Sequence, residues 1–414
     1  MSTNTKRNPR TYRIVGPQQK IDERETPHPR VQRGELGEPL QLRYKNRGEQ
    51  DAFRCINEYS GYQKGGLTND FIYAIKQAPA GGVNPERLTV TDPDAMARKI
   101  KEAARFFGAD LVGITYLDQA YVYSHRAKGN PVEGEKPGDP IELHHKYAIC
   151  LGYAGDYGRY LTCPSDIASA EYQGSQKFAF IPTFQLAAYI REIGYPARTH
   201  GLGGFEVNPI PLAVNAGLGE LGRHGMLINE EYGSRLHLFV VTTDLPMTVD
   251  EPVDMGVEDV CKWCMKCAQT CPTYSIPFGD KVVINGVEKW AVDVDTCYKY
   301  KLAAPGQWTL CLNCTNSCCY NKRSAWWHTL AGWMLKKIPI PLRPLYIKPL
   351  LWMDDLIWGK KPWLHMQWMG YDNAQRQAIT TCNVPGCIAK HKPLEQKRLH
   401  EIPKKKRSTK VGGN

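Results

Sequence analysis

The first clear pattern of apolar and polar positions runs from residue 95 to residue 107. Ile100, Ala104 and Phe107 recur there at the spacing of one helical face. Gly108 follows as a stop signal. The spacing therefore predicts a helix that buries its apolar face.

Four further segments carry apolar patterns that predict regular structure. Strands are predicted at Ala109–Tyr116, Tyr147–Tyr153 and Leu236–Thr242, and a second helix from about Phe178 to Ile193, where Gly194 ends it. Helices alternating with strands predict an α/β (α+β) fold. Residues 1–60 are polar and predict an extended, wrapping arm, whereas residues 61–95 predict loops.

Glycines punctuate the stretch from Pro209 to Gly225, where they include Gly217, Gly219 and Gly222. Glycine lets the backbone approach a large flat ligand closely, and it also serves in tight turns. The pattern leaves both interpretations open.

A cysteine pattern typical of iron-sulfur proteins lies in the second half of the chain. Its first run has the order C-x2-C-x2-C-x3-C-P of bacterial ferredoxins, in which three thiolates bind one cubane and the fourth reaches another. The run comprises Cys261, Cys264, Cys267 and Cys271, and after a gap it is followed by Cys297, Cys311, Cys314, Cys318 and Cys319.

The crossing of ligands between two cubanes divides these cysteines into two sets. The first cluster is predicted on Cys261, Cys264, Cys267 and Cys318, and the second on Cys271, Cys297, Cys311 and Cys314. Cys319 is an alternative to Cys318. A zinc site would usually show two C-x2-C pairs and stop at four ligands, so two 4Fe-4S clusters are favoured over zinc or disulfides. The other cysteines are predicted to be small buried apolar residues: Cys55, Cys150, Cys163, Cys382 and Cys387.

Length and charge add limits to this picture. The 414 residues far exceed one ferredoxin module, so the clusters are predicted to serve another site. The net charge of +11, part of it in Lys404–Arg407, would suit nucleic acid, an acidic redox partner or anionic lipid. The sequence shows no apolar run long enough to cross a membrane, and residues 1–12 lack the apolar core of a secretory signal.

Tryptophan is concentrated towards the end of the chain. Seven of the ten tryptophans lie between Trp326 and Trp368, interleaved with proline and lysine. Aromatic rings beside basic residues suit a membrane interface or an integral partner. The alternative is that they pack over the clusters and shield them, and both can hold at once.

Three stretches, taken in order, resemble the corrinoid-dependent reductive dehalogenases. They are Ala216–Ile228, which reads AGLGELGRHGMLI, then Val240–Pro246, and then Val257–Cys261 leading into the first cysteine run. The resemblance covers roughly residues 95 to 325. It implies a nitroreductase-like domain that binds a base-off corrinoid at residues 96–253 and a two-cluster ferredoxin domain at residues 254–325. An N-terminal region, 1–95, and a Trp-rich region, 326–414, flank them.

The chain departs from the family pattern in two respects. It lacks the twin-arginine export signal of the respiratory members, so the resemblance implies a mature form. Such a form would be exported and peripheral on the outer face of the cytoplasmic membrane. A cytoplasmic location is the alternative. It also lacks the D-x-H-x-x-G motif of other corrinoid proteins, because Arg198 stands at the aspartate position before His200. Members of the family dispense with that ligand.

The resemblance also implies residue roles. The family protonates its product from a tyrosine beside a cation, and these positions match Tyr172, just ahead of the second predicted helix, with Arg235 preferred over Arg223 as the cation. The corrinoid would be approached by His200, Gly201, Asn208, Gly217, Gly219 and Gly222, and Trp308 would wall an apolar substrate cavity.

The implied reaction removes halogen from an organohalide with two electrons and one proton. The implied partners are an electron donor and a small integral membrane anchor subunit, with a homodimer as a further state and without nucleic acid. An enzyme similar to epoxyqueuosine reductase, acting on tRNA, is one alternative, although no aspartate occupies the Tyr172 position. A pure electron-transfer subunit is another, and the absence of cobalt would favour it.

Overall fold

The computed structural model describes residues 11–35, 79–127, 134–163, 166–201, 205–303, 311–322 and 326–358. Its helices are α1 Pro27–Gln32, α2 Pro93–Phe107, α3 Tyr157–Tyr160, α4 Asp166–Phe178, α5 Phe180–Glu192, α6 Pro209–Asn215, α7 Val257–Cys264, α8 Lys266–Thr270, α9 Val294–Ala303, α10 Asn313–Ser317, α11 Trp326–Lys337 and α12 Arg343–Trp358. Its strands are β1 Arg13–Ile14, β2 Leu111–Tyr116, β3 Tyr147–Ala154, β4 Ala197–His200, β5 Glu220–Leu221, β6 Leu227–Ile228, β7 Leu236–Thr243, β8 Val282–Ile284 and β9 Val287–Lys289. The residues outside these ranges include Cys55, Trp308, Trp363, Trp368, Cys382, Cys387 and Lys404–Arg407.

An antiparallel sheet in the order β2-β3-β7-β4 forms the centre of the first half. Successive side chains of a strand point to opposite faces. Ile149 and Leu151 therefore pack with α2 and α5, whereas Ala148 and Cys150 pack with α6 on the other face. Helices on both faces of a buried sheet confirm the predicted α/β (α+β) class.

Helix α2 begins and ends where the sequence indicates. Asp92 caps its N-terminus by accepting from the amides of Asp94 and Ala95, and Gly108 ends it with a left-handed φ of 116°. Ile100 and Ala104 are almost completely buried. The predicted helix and its apolar face are confirmed.

Helix α4 was not predicted, and it corrects the placement of Tyr172. This tyrosine lies within α4 and not ahead of a helix, and Ala179 separates α4 from α5. Serine and glycine in α4 weaken its helical signal in the sequence. Tertiary packing therefore decides its conformation.

The cysteine-bearing half consists of short helices and a β-ribbon. Strand β1 of the N-terminal segment pairs with β9, which pairs with β8. Arg30, in α1, forms an ion pair with Asp295, in α9, at 2.6 Å. The described part of the N-terminal segment thus lies against the cysteine-bearing half.

Glu220 connects the two halves through the start of α7. It is fully buried, and its Oε2 accepts from the amides of Met255 at 2.6 Å and Val257 at 3.2 Å. A carboxylate there satisfies amides that a helix start leaves without partners. This contact fixes the helix that carries Cys261.

Helices α11 and α12 pack one face on the cysteine-bearing half. Leu335 and Ile347 are buried against Val260, and Arg343 pairs with the buried Asp259 at 2.8 Å. The opposite side, here named the tryptophan face, exposes Trp326, Trp327, Trp333, Leu345, Trp352, Leu356 and Ile357. Among the described helices, none combines the length and apolar character needed to cross a membrane.

Candidate functional site

The first group of cysteines is assembled by α7, α8 and the segment after α10. The Sγ atoms of Cys264 and Cys319 lie 3.8 Å apart. Cys261 packs in one apolar cluster with Cys318, and Cys267 interacts electrostatically with Cys261 and Cys264. Cys261, Cys264 and Cys267 thus converge with both candidates for the fourth ligand.

The second group lies beside the first. Electrostatic interactions connect Cys314 with Cys297 and Cys271, and Cys311 with the same cysteines. Cys163, predicted as an apolar filler, is buried and also interacts with Cys314. The structure brings together the two sets of cysteines that the spacing indicated, and their ligand roles stay a prediction.

Two left-handed residues give both groups the same local turn. Met265 and Leu312, each the residue after a cysteine, have φ of 48° and precede the short helices α8 and α10. A non-glycine residue in this conformation costs about 1–2 kcal/mol. Strain of this kind, repeated in both C-x2-C turns, is typical of a site that needs the cysteines in one orientation.

The donor set of each group fits an iron-sulfur cluster. Burial raises the pKa of Cys261 to about 12 and also raises the pKa of Cys314 and Cys267. Buried thiols become thiolates only when a cation such as iron compensates their charge. In the described ranges no three His, Cys, Asp or Glu side chains are close enough to hold a metal ion among themselves.

Tyr172 is half-buried between α4 and β7, in a cluster with Ser175 and the buried side chains of His237 and Tyr160, here named the tyrosine cluster. Its ring packs against His237 with centroids 4.4 Å apart. His237 Nε2 lies 3.0 Å from Ser175 Oγ and 3.3 Å from the hydroxyl of Tyr160. His237 and Tyr160 were not predicted, because each is a single polar residue that only the fold brings to Tyr172.

Arg235 is close to this cluster, since Tyr160 interacts electrostatically with both Tyr172 and Arg235. Its guanidinium donates to the carbonyls of Gly155 and Tyr232 and to Asn321 Oδ1 at 3.3 Å. Asn321 follows the last cysteines of the first group. Arg235 therefore connects the tyrosine cluster with the cysteine-bearing half.

Burial determines the protonation of these groups. It raises the pKa of Tyr172 and of Tyr160, so that both phenols are protonated at neutral pH. It lowers the pKa of His237 to about 3, so that the imidazole is neutral. The cluster thus offers O–H donors beside a permanent cation.

Arg223, the other candidate cation, lies elsewhere. It donates to the carbonyls of Cys261, Pro277 and Gly279, each at 2.9 Å, and contacts Trp290. The structure places it against the first cysteine group.

Of three further predicted residues in the first half, His200 and Gly201 are buried and Asn208 is half-buried. His200 is completely buried and lies 2.9 Å from Thr242 Oγ1, and burial keeps its pKa well below the ordinary value. Asn208 caps α6 by accepting from the Ile210 amide. A Cβ at Gly201 would meet the ring of Phe239 at 2.3 Å. Their corrinoid contacts stay a prediction.

The glycines of the punctuated stretch are packed by the chain itself. A Cβ at Gly217 would lie 2.6 Å from the carbonyl oxygen of Glu251, one at Gly219 2.2 Å from that of Ile228, and one at Gly222 2.7 Å from His224. Within the described part of the chain, these contacts favour the interpretation that all three glycines serve in tight turns.

The buried polar atoms without a hydrogen-bond partner in the described part of the chain include Ser234 Oγ, Asn321 Nδ2 and His224 Nε2. A buried polar atom without a partner is costly and indicates a missing ligand or water. Ser234 and Asn321 flank Arg235 in sequence and in space, respectively. A ligand with many amides and carbonyls at its rim, as a corrinoid has, would fit such atoms.

Known proteins resemble the chain in sequence and in fold. It is 32% identical over 278 residues to the tetrachloroethene reductive dehalogenase of Dehalobacter restrictus. The matched segment covers 57% of this chain and 50% of that protein. The chain thus spans about half the length of the curated relative it matches. Over 90 residues, 22% of this chain and 20% of the relative, it is 39% identical to the epoxyqueuosine reductase of Salmonella typhimurium.

The solved structure of the catabolic reductive dehalogenase NpRdhA in complex with 3-bromo-4-hydroxybenzoic acid matches with a TM-score of 0.70. The match is 29% identical and covers 86% of this chain and 48% of that one. No protein-family model matches the chain.

Proposed function

Because this chain is a relative of the reductive dehalogenases in both sequence and fold, we propose that it removes halogen from an organohalide by two-electron reduction. The reaction takes R–X, two electrons and one proton to R–H and halide. The observation that carries this proposal is the hydrogen bond from Arg235 to Asn321. It joins Arg235, which interacts electrostatically with Tyr160 of the tyrosine cluster, to the segment that ends the first cysteine group.

The cofactors of the proposal are a base-off corrinoid and two 4Fe-4S clusters. The clusters would be held by Cys261, Cys264, Cys267 and Cys318 and by Cys271, Cys297, Cys311 and Cys314. When bound, the corrinoid supplies the low-valent cobalt that reduces the carbon-halogen bond, and the clusters supply the electrons one at a time. Ser234 and Asn321 are proposed to bind the rim of the corrinoid. The resemblance implies further corrinoid contacts at His200, Gly201, Asn208, Gly217, Gly219 and Gly222.

Tyr172 is proposed as the proton donor. Burial keeps its phenol protonated. Arg235 interacts electrostatically with the neighbouring Tyr160, and its guanidinium is proposed to stabilise the phenolate and the departing halide. Arg235 holds its place through three hydrogen bonds to the chain. His237, neutral and fixed by Ser175, orients the donor's ring.

The tryptophan face is proposed to dock on the outer surface of the cytoplasmic membrane or on a small integral anchor subunit there. It exposes Trp326 to 73% and Leu345 to 74%, whereas the reverse side of both helices packs over the first cysteine group. Lys337 lies over the ring of Trp333, as basic residues do beside interfacial aromatics. The shielding and docking interpretations therefore apply to opposite sides of the same helices.

The decisive test is metal analysis and turnover of anaerobically purified, cofactor-loaded protein. We expect about eight iron atoms per chain, about one cobalt atom, and release of halide from a panel of organohalides with a chemical reductant. Iron without cobalt in a protein that still accepts electrons would favour the electron-transfer alternative. Turnover of epoxyqueuosine in a tRNA stem loop, without halide release, would favour the second enzyme.

A further inference from the structure

Arg223 is a buried cation whose described hydrogen bonds all go to neutral carbonyls. The residue is 2% exposed. Its Nε donates to the carbonyl of Cys261, and its Nη1 donates to those of Pro277 and Gly279. Its guanidinium lies 4.4 Å from the ring centroid of Trp290. These contacts hold a full positive charge in one place without a carboxylate to neutralise it at hydrogen-bond distance in the described part of the chain.

That charge is directed at the first cysteine group. The guanidinium interacts electrostatically with the sulfurs of Cys261, Cys267 and Cys264 and, more weakly, with the carboxylate of Asp280. Burial lowers the pKa of Arg223, and the cysteines and Asp280 raise it, but a guanidinium stays protonated in proteins in any case. Interactions between charges are stronger in a buried environment than in water.

We propose that Arg223 raises the reduction potential of the iron-sulfur cluster bound by the first cysteine group. This inference rests on the proposed function, because it requires that cluster. One added electron makes a cluster with four thiolates more negative, and a fixed neighbouring cation lowers the free energy of that reduced form. Net charge and hydrogen bonding near the sulfurs are recognised determinants of cluster potential. Arg223 would therefore keep this cluster reducible by a moderate donor.

Three variants separate charge from packing. Arg223→Gln removes the charge and retains an N–H donor. Arg223→Lys retains the charge and loses the planar fork that reaches several carbonyls. Trp290→Phe leaves Arg223 charged but reduces the aromatic surface that it contacts. If charge is the cause, only the first variant shifts the potential strongly.

The measurement is an EPR-monitored redox titration of the full chain, with iron and sulfide assayed on the same samples. Wild-type protein without two clusters would refute the proposed function itself, independently of Arg223. Given two clusters, we expect Arg223→Gln to shift one midpoint potential to a more negative value and to leave the other in place. Arg223→Lys and Trp290→Phe should titrate near wild type.

Unchanged potentials in Arg223→Gln with both clusters present would overturn the inference, and so would an equal shift in all three variants. If Arg223→Gln assembles only one cluster, Arg223→Lys decides. A wild-type potential there supports the role of charge, whereas a negative shift or loss of the cluster makes Arg223 a structural residue.

Discussion

Tyr172 packs edge-on against the imidazole of His237, with ring centroids 4.4 Å apart. The imidazole is itself held between Ser175 and Tyr160, so helix α4 and strand β7 together fix the phenol. A donor that is fixed before the substrate arrives loses little entropy in the reaction. The contact therefore gives the proposed proton donor its orientation.

Replacing Tyr172 by phenylalanine should lower dehalogenation by about 10²- to 10⁴-fold, the usual contribution of a positioned acid. Iron and cobalt contents should stay at wild-type values, because the ring contact with His237 remains. Tyr189→Phe, on the exposed side of α5, is the matched control and should retain full turnover. A wild-type rate in the Tyr172 variant would remove this residue from the proposed mechanism.

The buried His237 predicts loss of stability in acid. Burial lowers its pKa from 6.5 to about 3, so the unfolded chain binds a proton that the folded chain does not in that interval. The free energy of unfolding is therefore not reduced by this imidazole above pH 6.5. As the pH falls from 6.5 towards 3, it decreases by about 1.4 kcal/mol per pH unit. Denaturant unfolding of the apoprotein at pH 7 and pH 5 should show a smaller acid loss in His237→Gln than in wild type.

The exposed His144 offers the control for this experiment. His144→Gln should lose as much stability on acidification as wild type does. Equal acid losses in the His237 variant and in wild type would show that the imidazole is not kept neutral by the fold.

Strong periodicity made the central elements predictable, whereas the tyrosine cluster was not. Helix α2 and strand β7 follow apolar patterns that depend only on neighbours in sequence. The two cysteine groups could also be predicted from the sequence, because ligand spacing is a local property of the chain. His237 and Asn321 belong to no such pattern. Tyr172, the partner of His237, and Arg235, the partner of Asn321, lie far away in sequence, and only the folded chain brings each pair together.

Gly217→Ala should destabilise the fold irrespective of cofactor. Gly217 has a φ of 73°, and a Cβ would approach the carbonyl oxygen of Glu251 to 2.6 Å. Strain at such a position costs on the order of 1–3 kcal/mol. Unfolding of the apoprotein measures the loss, and Gly174→Ala, where a Cβ meets nothing within 4 Å, is the control. A stable apoprotein with weakened corrinoid binding would instead support the ligand interpretation.

Cys318→Ser should remove one cluster, and Cys319→Ser should leave both. Cys318 is buried in one apolar cluster with Cys261, and its position completes the crossing pattern of the second run. Losing one cluster lowers the iron content by about four atoms per chain. The opposite outcome would assign the ligand to Cys319, whose Sγ lies 3.8 Å from that of Cys264.

Polar substitution of the tryptophan face should weaken binding to membranes without loss of the clusters. Trp326→Ser and Trp352→Ser remove rings that are 73% and 66% exposed, so little folding energy is at stake, whereas interfacial binding depends on buried apolar area. Cosedimentation with anionic phospholipid vesicles at low and high salt measures the effect. Phe106→Ser, which removes an 87% exposed ring on α2, controls for general hydrophobicity. An equal loss of binding in this control would show that the tryptophan face has no special role. If wild-type protein does not sediment with vesicles, the face would instead bind an integral partner.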